Sequence, residues 1–264
     1  MIAPLLALLA LSEPAQSGRV EGAQDVVFDA SPPHADAEEV QARFRNKEKP
    51  GPYDVKKEKF RIVVPKSYKA GEKRGLLVYV NPGDGAGLPA GYEAVLEKRK
   101  LLAVSPYKAG NERNAYDRFR LAIDAGFNMH KRFNVDPERV YVSGFSGGGR
   151  IASMLGVAYA DLFAGAIPLC GVNFYLDIPS EPGKMWQRNY IPVDEALKIA
   201  KTSSRFVLMT GEKDMNLGNT RAVYEHGFKK EGFQRATLME VPGLGHAPPP
   251  ADQFDKALEF VDKR

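Results

Sequence analysis

"RVYVSGFSGGGRIASM", residues Arg139–Met154, is the stretch on which the reading of this chain turns. Its first part is a β-branched and aromatic run of the kind that forms a buried strand. Its last part is compatible with a helix. Between them, five of the six residues from Gly144 to Gly149 are Gly or Ser. A turn of that composition can cradle a phosphate on backbone N–H groups. It can hold Ser146 up as a nucleophile, or it can simply reverse the chain.

The phosphate reading fails on context. From Gly147 the sequence formally fits G-x-G-x-x-A, but the dinucleotide fingerprint belongs in the first βαβ unit, with an acid closing the next strand. Here at least three predicted strands come earlier, and the next strand closes on Leu169-Cys170-Gly171. The pattern G-x-x-x-x-G-K-[ST] is absent.

The nucleophile reading gains from context. Gly144-Phe145-Ser146-Gly147-Gly148 fits G-x-S-x-G, a weak signal alone in a chain with 25 glycines. Its strand–turn–helix setting is what a nucleophile elbow requires. The reason is steric: a strained nucleophile needs room two residues before and two after, which Gly144 and Gly148 supply. The N–H of Gly147, at the helix start, is then placed for a developing oxyanion.

A serine hydroxyl needs a base. The chain has four histidines: His34 in a polar lead-in, His130 and His226 inside amphipathic helices as surface or packing residues, and His246. Only His246 follows a strand, in the Gly- and Pro-set loop "VPGLGHAPPP". The base needs a carboxylate to fix its tautomer. "FVLMTGEKDMN" offers Glu212 and Asp214 beyond the preceding strand, and Asp214 is the choice; Asp177 and Asp194 are weaker rivals. The order Ser146, Asp214, His246 is that of α/β hydrolases. A second oxyanion donor is expected from the N–H of Gly83 or Asp84 in "NPGDGAG", since Pro82 has none to give.

Around this core, buried strand-like runs alternate with amphipathic helices. Strands are predicted at "KFRIVVP", "GLLVYVNPG", "LLAVSP", "VDPERVYVSG", "AGAIPLCG", "RFVLMTG" and "ATLMEVPG". Helices are predicted near Ala90–Lys100, Arg113–Phe133 (capped by Asn111), Gly147–Ala160, "VDEALKIAKT", Thr220–Lys230 and "PADQFDKALEFVDK". That alternation predicts a mostly parallel central sheet with helices on both faces. Residues 59–264 form the expected domain, with a cap-like insert at 171–192. In the insert, Trp186 and Tyr190, with Phe174 and Tyr175, either line an acyl or aromatic pocket or pack on one another; Phe145 is a further pocket candidate. Residues 18–58 read as an irregular lead-in with one short helix near Ala37–Arg45.

The bulk numbers bound the function. The 264 residues are 44% hydrophobic and 27% charged, with a net charge of +4. That gives no concentrated basic face for nucleic acid. The single cysteine, Cys170, allows no intrachain disulfide and reads as a buried thiol. Residues Ile2 to Leu11 are apolar but too short to span a bilayer. With Ala15-Gln16-Ser17 behind them, residues 1–17 read as a signal peptide, and the chain as periplasmic or extracellular, without stable membrane insertion. No basic residue precedes the apolar run.

Taken with "KRFNVDP" before it and "DLFAGAIPLCG" after it, the elbow resembles that of the poly(3-hydroxybutyrate) depolymerase and feruloyl esterase-like serine esterases. The likeness runs from about residue 60 to the end and is strongest over Asn134–Gly171; "TGEKD" and "GLGH" fit the acid and base sites. It implies the α/β-hydrolase fold and a triad of Ser146, Asp214 and His246 acting on small or polymeric carboxylic esters, with no metal or cofactor. The family's His-Gly-Cys motif at the oxyanion loop is replaced by Asn81-Pro82-Gly83-Asp84. Two other readings use the same residues: a peptidase of the prolyl-oligopeptidase-like type, and a non-catalytic binding protein retaining the fold. Oligomeric state and natural substrate are left open by the sequence.

Overall fold

The computed structural model describes residues 21–45 and 50–263. The expected leader, residues 1–17, lies outside them.

An eight-stranded sheet organises the chain. Its strands are β1 (Gly22–Val27), β2 (Lys59–Val64), β3 (Arg74–Val80), β4 (Leu101–Pro106), β5 (Val135–Phe145), β6 (Gly165–Leu169), and two later ones. The hairpin strands β7 (Ile178–Glu181) and β8 (Lys184–Trp186) stand apart, and β9 (Arg205–Gly211) and β10 (Ala236–Val241) complete the sheet. The order is β1-β2-β4-β3-β5-β6-β9-β10. β2 is antiparallel to both its neighbours, and from β4 to β10 every pairing is parallel.

Both faces are covered, as continuous apolar strands require. In β3, Leu76, Val78 and Val80 join the cluster on one face, while Leu77 and Tyr79 join the other. The first face carries α1 (Ala37–Phe44), α3 (Ala115–Arg132), α4 (Gly147–Ala158) and α5 (Asp194–Thr202). The second carries α2 (Tyr92–Arg99) and α7 (Ala251–Val261), joined where Tyr92 stacks on Phe254 at 4.0 Å between ring centroids. α6 (Leu217–Ala222) runs on into a wider helical turn at Val223–Lys229. Asn114, rather than Asn111, caps α3: its side-chain oxygen accepts the Tyr116 N–H at 2.8 Å.

Among its described residues the lead-in is not irregular. β1 pairs with β2 residue for residue from Gly22↔Val64 to Val27↔Lys59 and forms an edge of the sheet. Phe28 packs on Phe60, and Val40, Phe44 and Val55 are buried. Polar anchors hold much of the rest. Arg120 donates to the carbonyls of Ala35 and Gly51, Asn128 to that of Ala30, and Tyr53 to Asp124. Arg43 grips Asp161 through two bonds of 2.6 and 2.8 Å. Anchors of this kind leave no hydrophobic period in the sequence.

The insert 171–192 divides in two. Phe174, Tyr175, Ile178 and Tyr190 are buried in the core, and Met185 and Trp186 on the hairpin stand out, 45% and 46% exposed. Among the described residues no helix is long and apolar enough to cross a membrane.

His130, near the end of α3, tests the packing. Burial pulls its imidazole down to about 4, with Asp136 opposing weakly. The unfolded chain therefore binds an extra proton between about pH 6.5 and 4. His130 costs nothing above that window and destabilises the fold progressively as pH falls through it. Urea midpoints measured from pH 7 to 4 should fall less steeply for His130→Gln than for the unmodified chain.

Candidate active site

β5 ends at Phe145, and Ser146 turns the chain into α4 with φ 55° and ψ −116°. A non-glycine residue there costs about 1–3 kcal/mol and persists only where its surroundings fix it. They do so through backbone. The Ser146 N–H donates to Leu169 O at 2.8 Å, and its carbonyl accepts from Arg150 N–H at 3.1 Å. A Cβ on Gly148 would collide with the carbonyl of Val80, and one on Gly144 would strike both Val80 O and the Gly148 backbone. The elbow is thus seated directly on the end of β3.

His246 Nε2 lies 2.9 Å from Ser146 Oγ, and His246 Nδ1 lies 2.8 Å from Asp214 Oδ1. One tautomer serves both contacts: Nδ1–H donates to the carboxylate and Nε2 accepts the serine O–H. Asp214 is buried, 5% exposed, and also accepts from Asn216 N–H and Thr210 Oγ1. Burial pushes its carboxyl upward. The Asn216 N–H, His246, Cys170 and Thr210 together outweigh that and hold it below its ordinary value, so it is ionised at neutral pH. The histidine loop is braced from behind, where Tyr92 Oη donates to Pro249 O at 3.0 Å and Glu212 accepts the Gly243 N–H. The rival acids are engaged elsewhere, Asp177 with the Arg188 N–H and Asp194 with Arg45.

The "NPGDG" loop follows β3, on whose end the elbow is seated. Asn81 donates to Gly87 O and Ser105 Oγ, while Lys108 N–H and Asn111 N–H donate to Asp84 O and Pro82 O. Gly83 and Asp84 are exposed, and among the described residues no backbone carbonyl accepts from their N–H groups. Asn111, which follows β4 at the same edge of the sheet, lies with its carboxamide over Gly147 at the head of α4.

The pocket candidates separate. Phe145 packs on the His246 ring at 4.9 Å and, with Pro82, Gly83, Leu88 and Pro248, lines a cavity of about 520 Å³. Trp186 lines a second cavity of about 260 Å³ with Arg150 and Asn173. Tyr190 does not belong with them. It is 5% exposed and packs on Phe44 and Tyr175 in the core.

Cys170 is buried as expected, yet sits beside Asp214 and His246. Its backbone has φ 54°, and its thiol donates to Ala247 O at 3.4 Å and lies against Asp214. Burial, reinforced by that carboxylate, pushes the thiol up to about 12. It is a proton donor there and no nucleophile. Thiol, carboxylate and imidazole lie within 4.8 Å of one another, close enough to share a metal ion. Hydrogen bonds within the site already occupy them. Adjacency in sequence hides this thiol, because β6 brings it in from the neighbouring strand.

No family model matches the chain. A polyhydroxybutyrate depolymerase of Talaromyces funiculosus is 34% identical over 105 residues, covering 33% of this chain and 30% of that protein. The chain spans less than a third of the curated relatives it matches. An s-formylglutathione hydrolase from Staphylococcus aureus superimposes with a TM-score of 0.59 at 13% identity, covering 78% of this chain and 93% of the other. A thermophilic esterase from Thermogutta terrifontis gives 0.55 at 18% identity, covering 80% and 86%. The chain has the α/β-hydrolase fold these structures share.

Two adjacent glycines offer a contrast. A methyl at 147 meets the carboxamide of Asn111, a side chain that can swing away; a methyl at 148 meets fixed backbone. Urea denaturation should show Gly148→Ala destabilised by about 1–3 kcal/mol or more. Gly147→Ala should lose clearly less, and Asn111→Ala should relieve what it does lose.

Proposed function

We propose that this protein is a serine hydrolase that cleaves carboxylic esters through an acyl-enzyme on Ser146. The observation that carries the reading is the unbroken hydrogen-bond chain from Asp214 through His246 to Ser146 on a strained elbow. The depolymerase, esterase and s-formylglutathione hydrolase names of its relatives and structural neighbours support the same class.

In this reading His246 takes the Ser146 proton as the hydroxyl attacks the acyl carbon. Asp214, ionised and buried, holds the imidazole and stabilises the imidazolium. The N–H of Gly147, with that of Gly83 or Asp84, receives the oxyanion. His246 then protonates the leaving alcohol, and a water activated by the same base releases the acid. Cys170 is a positioning residue: its thiol lies against the acid and ties it to the histidine loop through Ala247 O. The cavity beside Phe145 takes one arm of the ester. Apolar residues 2–11 and the small residues Ala15 and Ser17 support export.

A fluorophosphonate probe should label Ser146, and Ser146→Ala should abolish both labelling and hydrolysis of short p-nitrophenyl esters. Asp214→Asn should keep the fold and lower kcat by about 10⁴-fold. Full activity in purified Ser146→Ala would exclude the mechanism. A folded protein that no probe labels would point instead to a binding role.

A further inference from the structure

Arg150 lies one helical turn beyond Ser146, about 6 Å along α4, and its side chain reaches the segments that follow β6 and β9. It donates to Val172 O at 3.2 Å, Asn173 Oδ1 at 2.9 Å and Asn216 Oδ1 at 3.2 Å. All three acceptors are neutral. Both amides are locked with oxygen toward the guanidinium: Asn216 Nδ2 donates to Cys170 O, and Asn173 Nδ2 points to Met154 Sδ. Asn216 in turn donates its N–H to Asp214, so the guanidinium is tied to the triad's own acid without touching it.

A half-buried cation normally finds a carboxylate. Arg43, Arg99, Arg113 and Arg139 each do so in this chain. Arg118 and Arg120 bond neutral carbonyls, as Arg150 does, but Arg150 also lines a cavity. Among the described residues three of its five N–H donors are accounted for, and a planar guanidinium with two donors left matches a carboxylate in geometry and charge. The cavity's other lining includes Asn189, Asn219, Leu176 and Trp186. Its volume of about 260 Å³ falls below that of sites for drug-sized ligands. It suits a short chain with a polar end.

We propose that this cavity is a subsite for a carboxylate, so that the preferred ester carries a free acid group on a short arm away from the scissile bond. The proposal rests on the ester-hydrolase reading for its substrate, and on Arg150 for its selectivity. The acid group can sit on the acyl arm, as in a monoester of a dicarboxylic acid, or on the alcohol arm, as in an O-acyl hydroxyacid.

Trp186 is the chain's only tryptophan and lines this cavity, so its fluorescence reports binding without turnover. In a Ser146→Ala background, monomethyl glutarate should bind at least about ten-fold more tightly than dimethyl glutarate. 3-Acetoxypropionate against its methyl ester tests the alcohol arm. Arg150→Met should erase the preference, Arg150→Lys should retain part of it, and added salt should weaken it. With Ser146 present, kcat/KM should favour the same acid-bearing member of the pair. Equal binding of acid and neutral ester in both pairs overturns the subsite, with no variant needed. A preference that survives Arg150→Met overturns it too. Selective binding with no hydrolysis by the Ser146 protein refutes the hydrolase reading while the subsite stands. Hydrolysis without selectivity does the reverse.

Discussion

The contact between the Gly148 backbone and the Val80 carbonyl fixes the rest of this molecule. It brings the head of α4 onto the end of β3 with no side chain between them. Ser146 therefore cannot relax toward an ordinary turn without lifting a helix off the sheet. The strain is offset by the parallel ladder on both sides of β5, where β3 and β6 hold its position. The geometry around Ser146 is set by main chain, and side chains are brought to it.

The other members of the site reach Ser146 from separate strands, each through a short loop. β6 delivers Cys170, β9 delivers Asp214, and β10 delivers His246. What joins them is a layer of hydrogen bonds across the carboxyl edge of the sheet, running from Thr210 and Asn216 through Asp214 to His246. Arg150 extends that layer to the insert through Asn216 and Asn173. The histidine loop depends as well on the far face, because Tyr92 supports Pro249 and is itself stacked on Phe254 of α7.

Much of this was legible in the sequence, for physical reasons. Buried parallel strands are apolar on both faces, so β3, β4, β6 and β9 read as continuous runs. The elbow is legible because sterics demand small residues at fixed offsets, and His246 because one histidine alone follows a strand. The features that escaped depend on contacts between distant segments. β1 has a weak pattern, since it is an edge strand whose neighbourhood is held by Arg120, Asn128 and Tyr53. Asn111 reads as a cap by position, yet Asn114 has that task. Tyr190 reads as a pocket residue because aromatic side chains serve core and pocket alike. Arg150 was visible in the elbow itself, but nothing in its spacing tells that its partners are neutral.

The lone thiol of Cys170 has one more consequence. It is buried against Asp214 and shielded by the histidine loop, in a chain with no other sulfhydryl. Alkylation of the native protein must then wait for that loop to part from the acid. The rate at which a thiol reagent is consumed becomes a clock for the opening of this hydrogen-bonded layer, separate from unfolding of the sheet. One residue, with no engineering, lets the site's breathing be timed against the whole fold's.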